Sequence, residues 1–96
     1  MIKLIKVSGD SMLPHLDDGD YVIVSRWGIN ISIGNVVVVE HPIYHRIIKR
    51  VVEVCPNGKL WLSGENKQSV SSEQIGWVQP ETVIGKVLFR IKKHKH

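Results

Sequence analysis

The sequence predicts a mostly β protein, built as one coiled sheet or partly open β-barrel. Three observations carry that expectation. Short β-branched segments recur along the chain, each bounded by Gly, Pro, Asn or Asp. The 96 residues contain no alanine, the strongest helix former. No helical periodicity runs beyond about two turns.

The elements follow in order. Ile2 to Val7 alternates apolar residues with Lys3 and Lys6 and reads as a strand whose apolar set is Ile2, Leu4 and Val7, with Ile5 less clean. Ser11 to Leu16 is expected as one short helical turn. Asp17-Asp18-Gly19-Asp20 signals a turn. Tyr21 to Ser25 is a β-branched strand, and Arg26 to Asn35 a loop carrying Gly28 and Gly34. Val36 to Glu40 is apolar on both faces, as in a central or doubly covered strand. His41-Pro42 breaks it. Ile43 to Val54 is the longest extended segment, and Pro56-Asn57-Gly58 turns it into a hairpin with Lys59 to Leu62. Ser63 to Gly76 is a polar loop, and Trp77 to Pro80 and Val83 to Ile91 close the sheet. Trp61, Trp77 and Val36 to Val39 are expected in the core.

Composition limits the function classes. Hydrophobic residues make up 43% and charged residues 23%, the balance of one small globular domain, read here as 1–92 with a basic tail at 93–96. No apolar run approaches the roughly 20 residues of a membrane span, and lysines interrupt any signal-peptide core at the start. The expected location is therefore cytoplasmic. Cys55 is the only cysteine, which excludes an internal disulfide and cysteine-based zinc clusters, and at the start of a turn it reads as a buried or half-buried bystander. His94 and His96 have no third ligand partner, so neither metal nor cofactor is expected. The net charge is +4, weighted toward Arg90 to His96. Such a tail favours loose contact with anionic surfaces. Six scattered aromatics and no recognition helix give no nucleic-acid signature.

Two positions carry chemistry. Val7-Ser8-Gly9-Asp10-Ser11-Met12-Leu13-Pro14 leaves the first strand through a glycine and ends at a proline. A serine held in such a turn exposes its hydroxyl beside converging backbone N–H groups, the parts of a nucleophile with an oxyanion hole. Val7, Met12, Leu13 and Leu16 surround it and are expected to line a shallow apolar groove for an extended peptide. Lys49 lies in Ile47-Ile48-Lys49-Arg50-Val51, where alternation sets Ile47, Lys49 and Val51 on one face and Ile48, Arg50 and Val52 on the other. One of the two cations must share an apolar face. A lysine there can shed its proton and become a general base, which an arginine cannot do. His45 is a rival base by its ordinary pKa, but Glu40, Glu53, Asp10 and Asp17 supply no specific orienting carboxylate.

Ser8-Gly9-Asp10-Ser11-Met12-Leu13-Pro14-His15-Leu16, followed by Asp18-Gly19-Asp20, resembles the serine box of the type I signal peptidases and their soluble relatives. Gly34-Asn35-Val36-Val37-Val38 is similar to that family's Gly-Asp-hydrophobic strand. Ile48-Lys49-Arg50-Val51-Val52 resembles its lysine box. Ser63-Gly64-Glu65-Asn66, with Ser69 and Gly76, resembles its Gly-Asp-Asn…Ser…Gly box. Val83-Ile84-Gly85-Lys86-Val87 resembles its closing strand.

The resemblance spans residue 7 to about 91 and implies the signal peptidase–LexA catalytic core with a Ser-Lys dyad that hydrolyses peptide bonds. It makes Ser11 the nucleophile and Lys49 the base, and it assigns oxyanion or orienting roles to Ser11, Asp10 and Ser69. Gly9 stands where membrane signal peptidases often carry a second hydroxyl donor. Glu65 replaces the usual Asp, and Ser71 and Glu73 replace an Asp–Arg ion pair in a box one residue short.

The compact form most resembles the soluble peptidases that mature nickel-type superoxide dismutase, which implies a protein or peptide precursor as substrate. Self-processing of the LexA and UmuD kind is the alternative. It is disfavoured by only ten residues before the serine and by the lack of an Ala-Gly or Cys-Gly pair. A non-catalytic binding or dimerisation module of the same fold is the third reading. Oligomeric state is not readable from the sequence.

Overall fold

The computed structural model describes residues 2–7, 19–26, 30–64 and 71–92. Six strands, β1 (Ile2–Lys6), β2 (Tyr21–Ser25), β3 (Val36–His41), β4 (His45–Val54), β5 (Leu60–Ser63) and β6 (Val83–Ile91), form one antiparallel sheet in the order β1-β2-β6-β3-β4-β5. The sheet is open: among the described residues β1 and β5 are its two edges. The expected mostly β fold is therefore present as an open sheet, with β6 inserted between β2 and β3.

β3 is the central strand that its four consecutive valines call for. Val37, Val38 and Val39 are fully buried and serve both faces. On one face, Val38 joins Ile5, Val7, Val22, Val24 and Ile48. On the other, Val37 and Val39 join Val51, Leu60, Leu62, Ile75, Val78 and Val83. The ladder's register shifts at Ile23/Val24, Val38/Val39 and Val51/Glu53, and such bulges sharpen a sheet's local twist. At Gly85 a Cβ would stand 3.0 Å from the Ser25 carbonyl oxygen, so any side chain there would push β2 and β6 apart by a few tenths of an ångström.

Several expectations change, and β4 begins at His45 rather than Ile43 because residues 42–44 form the turn out of β3. β3 runs through His41 rather than stopping at Glu40, because His41 pairs with His45 across the turn. In β1 the apolar set turns over: pairing of Ile5 with Val22 buries Ile5, while Ile2 and Leu4 point outward and are exposed. Trp77 is exposed and Trp61 half-buried, their rings tilted against each other at 5.1 Å between centroids, because Leu60 and Leu62 take the inward positions of β5. The polar loop contains a one-turn helix, α1 (Ser72–Ile75), and Trp77 to Pro80 contributes one bridge, Leu60 to Val78, instead of a strand. The expected turn at Ser11 to Leu16 lies outside the described residues. No described helix is long and apolar enough to cross a membrane.

Candidate functional site: a buried lysine in the central ladder

Lys49 sits in mid-β4, opposite Val37 of β3 and on the face of Ile47 and Val51. It is 1% exposed, the bulkiest of the fully buried side chains. The strand's alternation thus resolves the choice between its two cations. Lys49 turns inward, while Arg50 is half-buried and donates from its guanidinium to the Gly34 carbonyl at 2.9 Å. Burial pushes the Lys49 ammonium below the ordinary lysine range, because low-dielectric surroundings penalise the charged form. A lysine so placed is prepared to hold its amine neutral and accept a proton.

Two connections carry the other residues that the sequence singles out. The first carries Ser11. Val7 is a core residue of the first cluster, its N–H donates to the Asp20 carbonyl at 2.7 Å, and Gly19 N–H donates to the Val7 carbonyl at 2.9 Å. These bonds extend the β1–β2 ladder and draw the ends of segment 8–18 together. Ser11, Asp10, Met12, Leu13 and Leu16 fall within that segment, outside the described residues.

The second connection carries Ser69. β5 ends its pairing with β4 at Arg50 and Ser63, one residue short of Lys49, and the chain leaves the sheet there. It returns at Ser72, whose hydroxyl donates to the Leu62 carbonyl at 2.6 Å. Ser69 itself lies outside the described residues. Where the resembled family carries an Asp–Arg ion pair, Ser71 and Gln74 form a capping box. Ser71 Oγ accepts from Gln74 N–H and Gln74 Oε1 accepts from Ser71 N–H, both at 3.2 Å. The Ser-x-x-Gln spacing is a readable signal for such a start.

His41 is a further anchor that the sequence marked only as a strand breaker. Its ring is buried, and Nδ1 accepts from Ile43 N–H at 3.1 Å and Tyr44 N–H at 3.2 Å. An acceptor at Nδ1 requires the proton on Nε2, which donates to the Ile75 carbonyl at 3.0 Å. One neutral imidazole therefore ties the β3–β4 turn to the last residue of α1. His45, the rival base, is exposed at that turn with φ 62°, about 13 Å along the strand from Lys49. Cys55 is free and half-buried.

An antiparallel β domain with a lysine buried in its ladder fits a serine peptidase or a LexA-like domain. The Peptidase S24-like family matches residues 2–88, and the chain belongs to that family. A search of curated proteins finds no match. The family match carries no subtype, so the likeness to nickel-type superoxide dismutase maturation peptidases rests on the sequence boxes alone.

Proposed function

We propose that the protein is a serine endopeptidase using a Ser11–Lys49 dyad to remove an N-terminal extension from a protein precursor. The motif likeness favours a nickel-type superoxide dismutase precursor as substrate. The observation that carries this reading is the full burial of Lys49 with its pKa lowered by desolvation, inside a chain of the Peptidase S24-like family.

Neutral Lys49 Nζ takes the proton from Ser11 Oγ as the oxygen attacks the scissile carbonyl. The resulting oxyanion accepts from the Ser11 N–H. Protonated Lys49 then gives its proton to the leaving amine, and the acyl group remains on Ser11 as an ester. Water attacks that ester, Lys49 takes the water's proton, and Ser11 recovers its hydroxyl on release of the carboxylic acid. Ser69 orients Lys49 in this scheme, and Asp10 shapes the oxyanion turn. The expected groove beside Ser11 (Met12, Leu13 and Leu16) receives the substrate as an extended strand; Val7, expected to line it, is 4% exposed and packs in the core, so it offers no open groove wall. β1, the sheet edge on that side, has β2 as its one partner among the described strands.

The test incubates the full chain with a proteome-derived peptide library and, separately, alone, with products read by mass spectrometry across pH. Expected is cleavage in trans that Ser11→Ala abolishes and His45→Ala leaves largely intact. Cleavage of the chain alone would make self-processing the activity. Absence of Ser11-dependent cleavage in both arms would make this a binding module.

A further inference from the structure

A second cation shares the sheet face of Lys49. Directly paired residues share a face, and Lys86 of β6 and Lys49 of β4 are both paired with Val37 of β3. Two strand spacings therefore set the two lysine backbones about 10 Å apart, with the fully buried Val37 side chain between them in the row. The register shifts of β6 fall at Ile23/Val24 and Val38/Val39, outside this row.

Lys86 occupies the wetter end of the row. It is half-buried, and its Nζ donates to the Asn30 carbonyl at 3.4 Å. The next residue of that loop, Ile31, packs on the cluster of Val37 and Val51. The Lys86 ammonium is thus held at a loop bordering the Lys49 face.

Two positive charges on one largely apolar face disfavour each other, and the buried one is the costlier to keep. Desolvation and a neighbouring cation are separate ways to ready an amine as a base. We propose that Lys86 is a positioning residue for Lys49: a second cation on the same face that keeps the Lys49 amine uncharged. The inference rests on the reading of Lys49 as the base.

The other described titratable groups on the elements packed against Lys49 lie farther along or point away. His41, Tyr44 and His45 sit at the β3–β4 turn, four or more residues along the strands. Glu53 is four residues the other way on β4, and it is exposed, as are Glu73 of α1 and Glu81 in the Pro80–Thr82 turn. Glu40, Arg46 and Arg50 alternate to the opposite face. Asp10, Asp17, Asp18 and Glu65 lie outside the described residues, and they are common to every variant compared below.

The test follows Lys49 itself by NMR across pH. In the full chain, isotope-labelled at lysine, the Lys49 Cε signal is the one missing from Lys49→Met. Expected in Lys86→Gln is a titration midpoint higher than in wild type by about 0.3–1 pH unit, the range for charges about 10 Å apart between water-like and protein-like screening. Lys86→Arg keeps the charge and should hold the wild-type midpoint. Molar salt should narrow the gap between wild type and Lys86→Gln. Cleavage by Lys86→Gln should fall about two- to tenfold below the midpoint and recover at higher pH, whereas structural damage would persist at every pH. Should Lys86→Gln fold poorly, Lys86→Met takes its place, since its unbranched stem covers the same apolar ground.

An unmoved Lys49 midpoint in a folded, uncharged variant overturns the proposal, whatever cleavage does. An equal movement in Lys86→Arg also overturns it, because the effect would then belong to the Asn30 contact rather than to charge. A raised midpoint without Ser11-dependent cleavage supports the charge effect and removes the dyad, so the two readings fail separately.

Discussion

One face of the sheet is finished differently at its two ends. Over β3, β4 and β5 it is roofed: Ile75 of α1 and the Val78 bridge close onto Val37, Val51, Leu60 and Leu62, with Ile31 and Tyr44 at the margin. Over β1, β2 and β6 it carries equally apolar side chains and no described cover. The strands do not differ in kind; their connections do. The β5-to-β6 connection is long enough to hold α1 and a 3-10 turn at Pro80–Thr82, and it lies across the face. Lys49 stands where roof and bare face approach, in the row Ile2, Ser25, Lys86, Val37, Lys49. An apolar pattern therefore tells which face a residue belongs to, and the connections decide whether that face is covered.

The largest expected effect is chemical and confined to the roofed end. Lys49→Arg keeps a cation and removes the base, so cleavage in the library assay should fall by about 10²–10⁴-fold. Activity should rise with pH through the depressed Lys49 pKa, since only the neutral amine works. Stability should carry the same signature. The folded chain releases the Lys49 proton below the ordinary lysine pKa of about 10.4, where the unfolded chain still binds it. Stability therefore rises with pH between the folded and unfolded pKa values, and falls as pH drops back through that window. Denaturant unfolding of wild type and Lys49→Met across alkaline pH should show that slope in wild type and a flatter one in the variant. Equal slopes would mean that Lys49 does not titrate below its unfolded value.

Next comes packing under the roof. Leu62 is fully buried among Val51, Leu60 and Val78, and Leu62→Ala should cost about 2–5 kcal/mol in denaturant unfolding. A loss under about 1 kcal/mol would mean that the roof collapses into the gap and is softer than its contacts imply.

Much of this contrast is legible in the sequence, and the illegible part has physical causes. Four consecutive valines announce a doubly covered strand, and Lys49-Arg50 within an apolar strand announces that one of two cations shares an apolar face; the structure picks Lys49. Those readings need only the two-residue period of a strand. β1 reads wrongly because Ile2, Leu4, Ile5 and Val7 offer two possible registers, and the Ile5–Val22 pairing that selects one is nonlocal. Trp61 and Trp77 mislead because size argues for the core, while the inward places of β5 belong to Leu60 and Leu62. His41 gives no sign of its role, since its three partners lie on a turn and on a helix 34 residues away. Ser71 is the opposite case: its departure from the family's ion pair is visible, and so is the Ser-x-x-Gln box that substitutes for it.

That box sets the third effect. Ser71→Ala removes the acceptor for Gln74 N–H and should cost about 1 kcal/mol of stability. α1 follows the Ser69 segment directly, so turnover should fall more than stability if the cap helps position Ser69. The readout is kcat for the cleaved library peptide, with rescue by Ser71→Asp, which restores a capping oxygen. A fall in stability with unchanged kcat would confine the cap to the roof.

The smallest expected effect lies on the bare half. Leu4→Thr or Phe89→Thr removes a large apolar side chain, as Leu62→Ala does, yet neither residue has a cover to lose: Leu4 is 62% and Phe89 66% exposed. Threonine keeps a strand-compatible branched side chain, so backbone preference changes little. Each substitution should shift the unfolding free energy by no more than about 0.5 kcal/mol. The comparison with Leu62→Ala then separates covered from uncovered apolar surface on a single face. A loss above about 2 kcal/mol at Leu4 or Phe89 would place them under a cover after all, because only buried side chains cost that much to truncate. A slight gain in stability would mark this end as apolar surface that folding does not need.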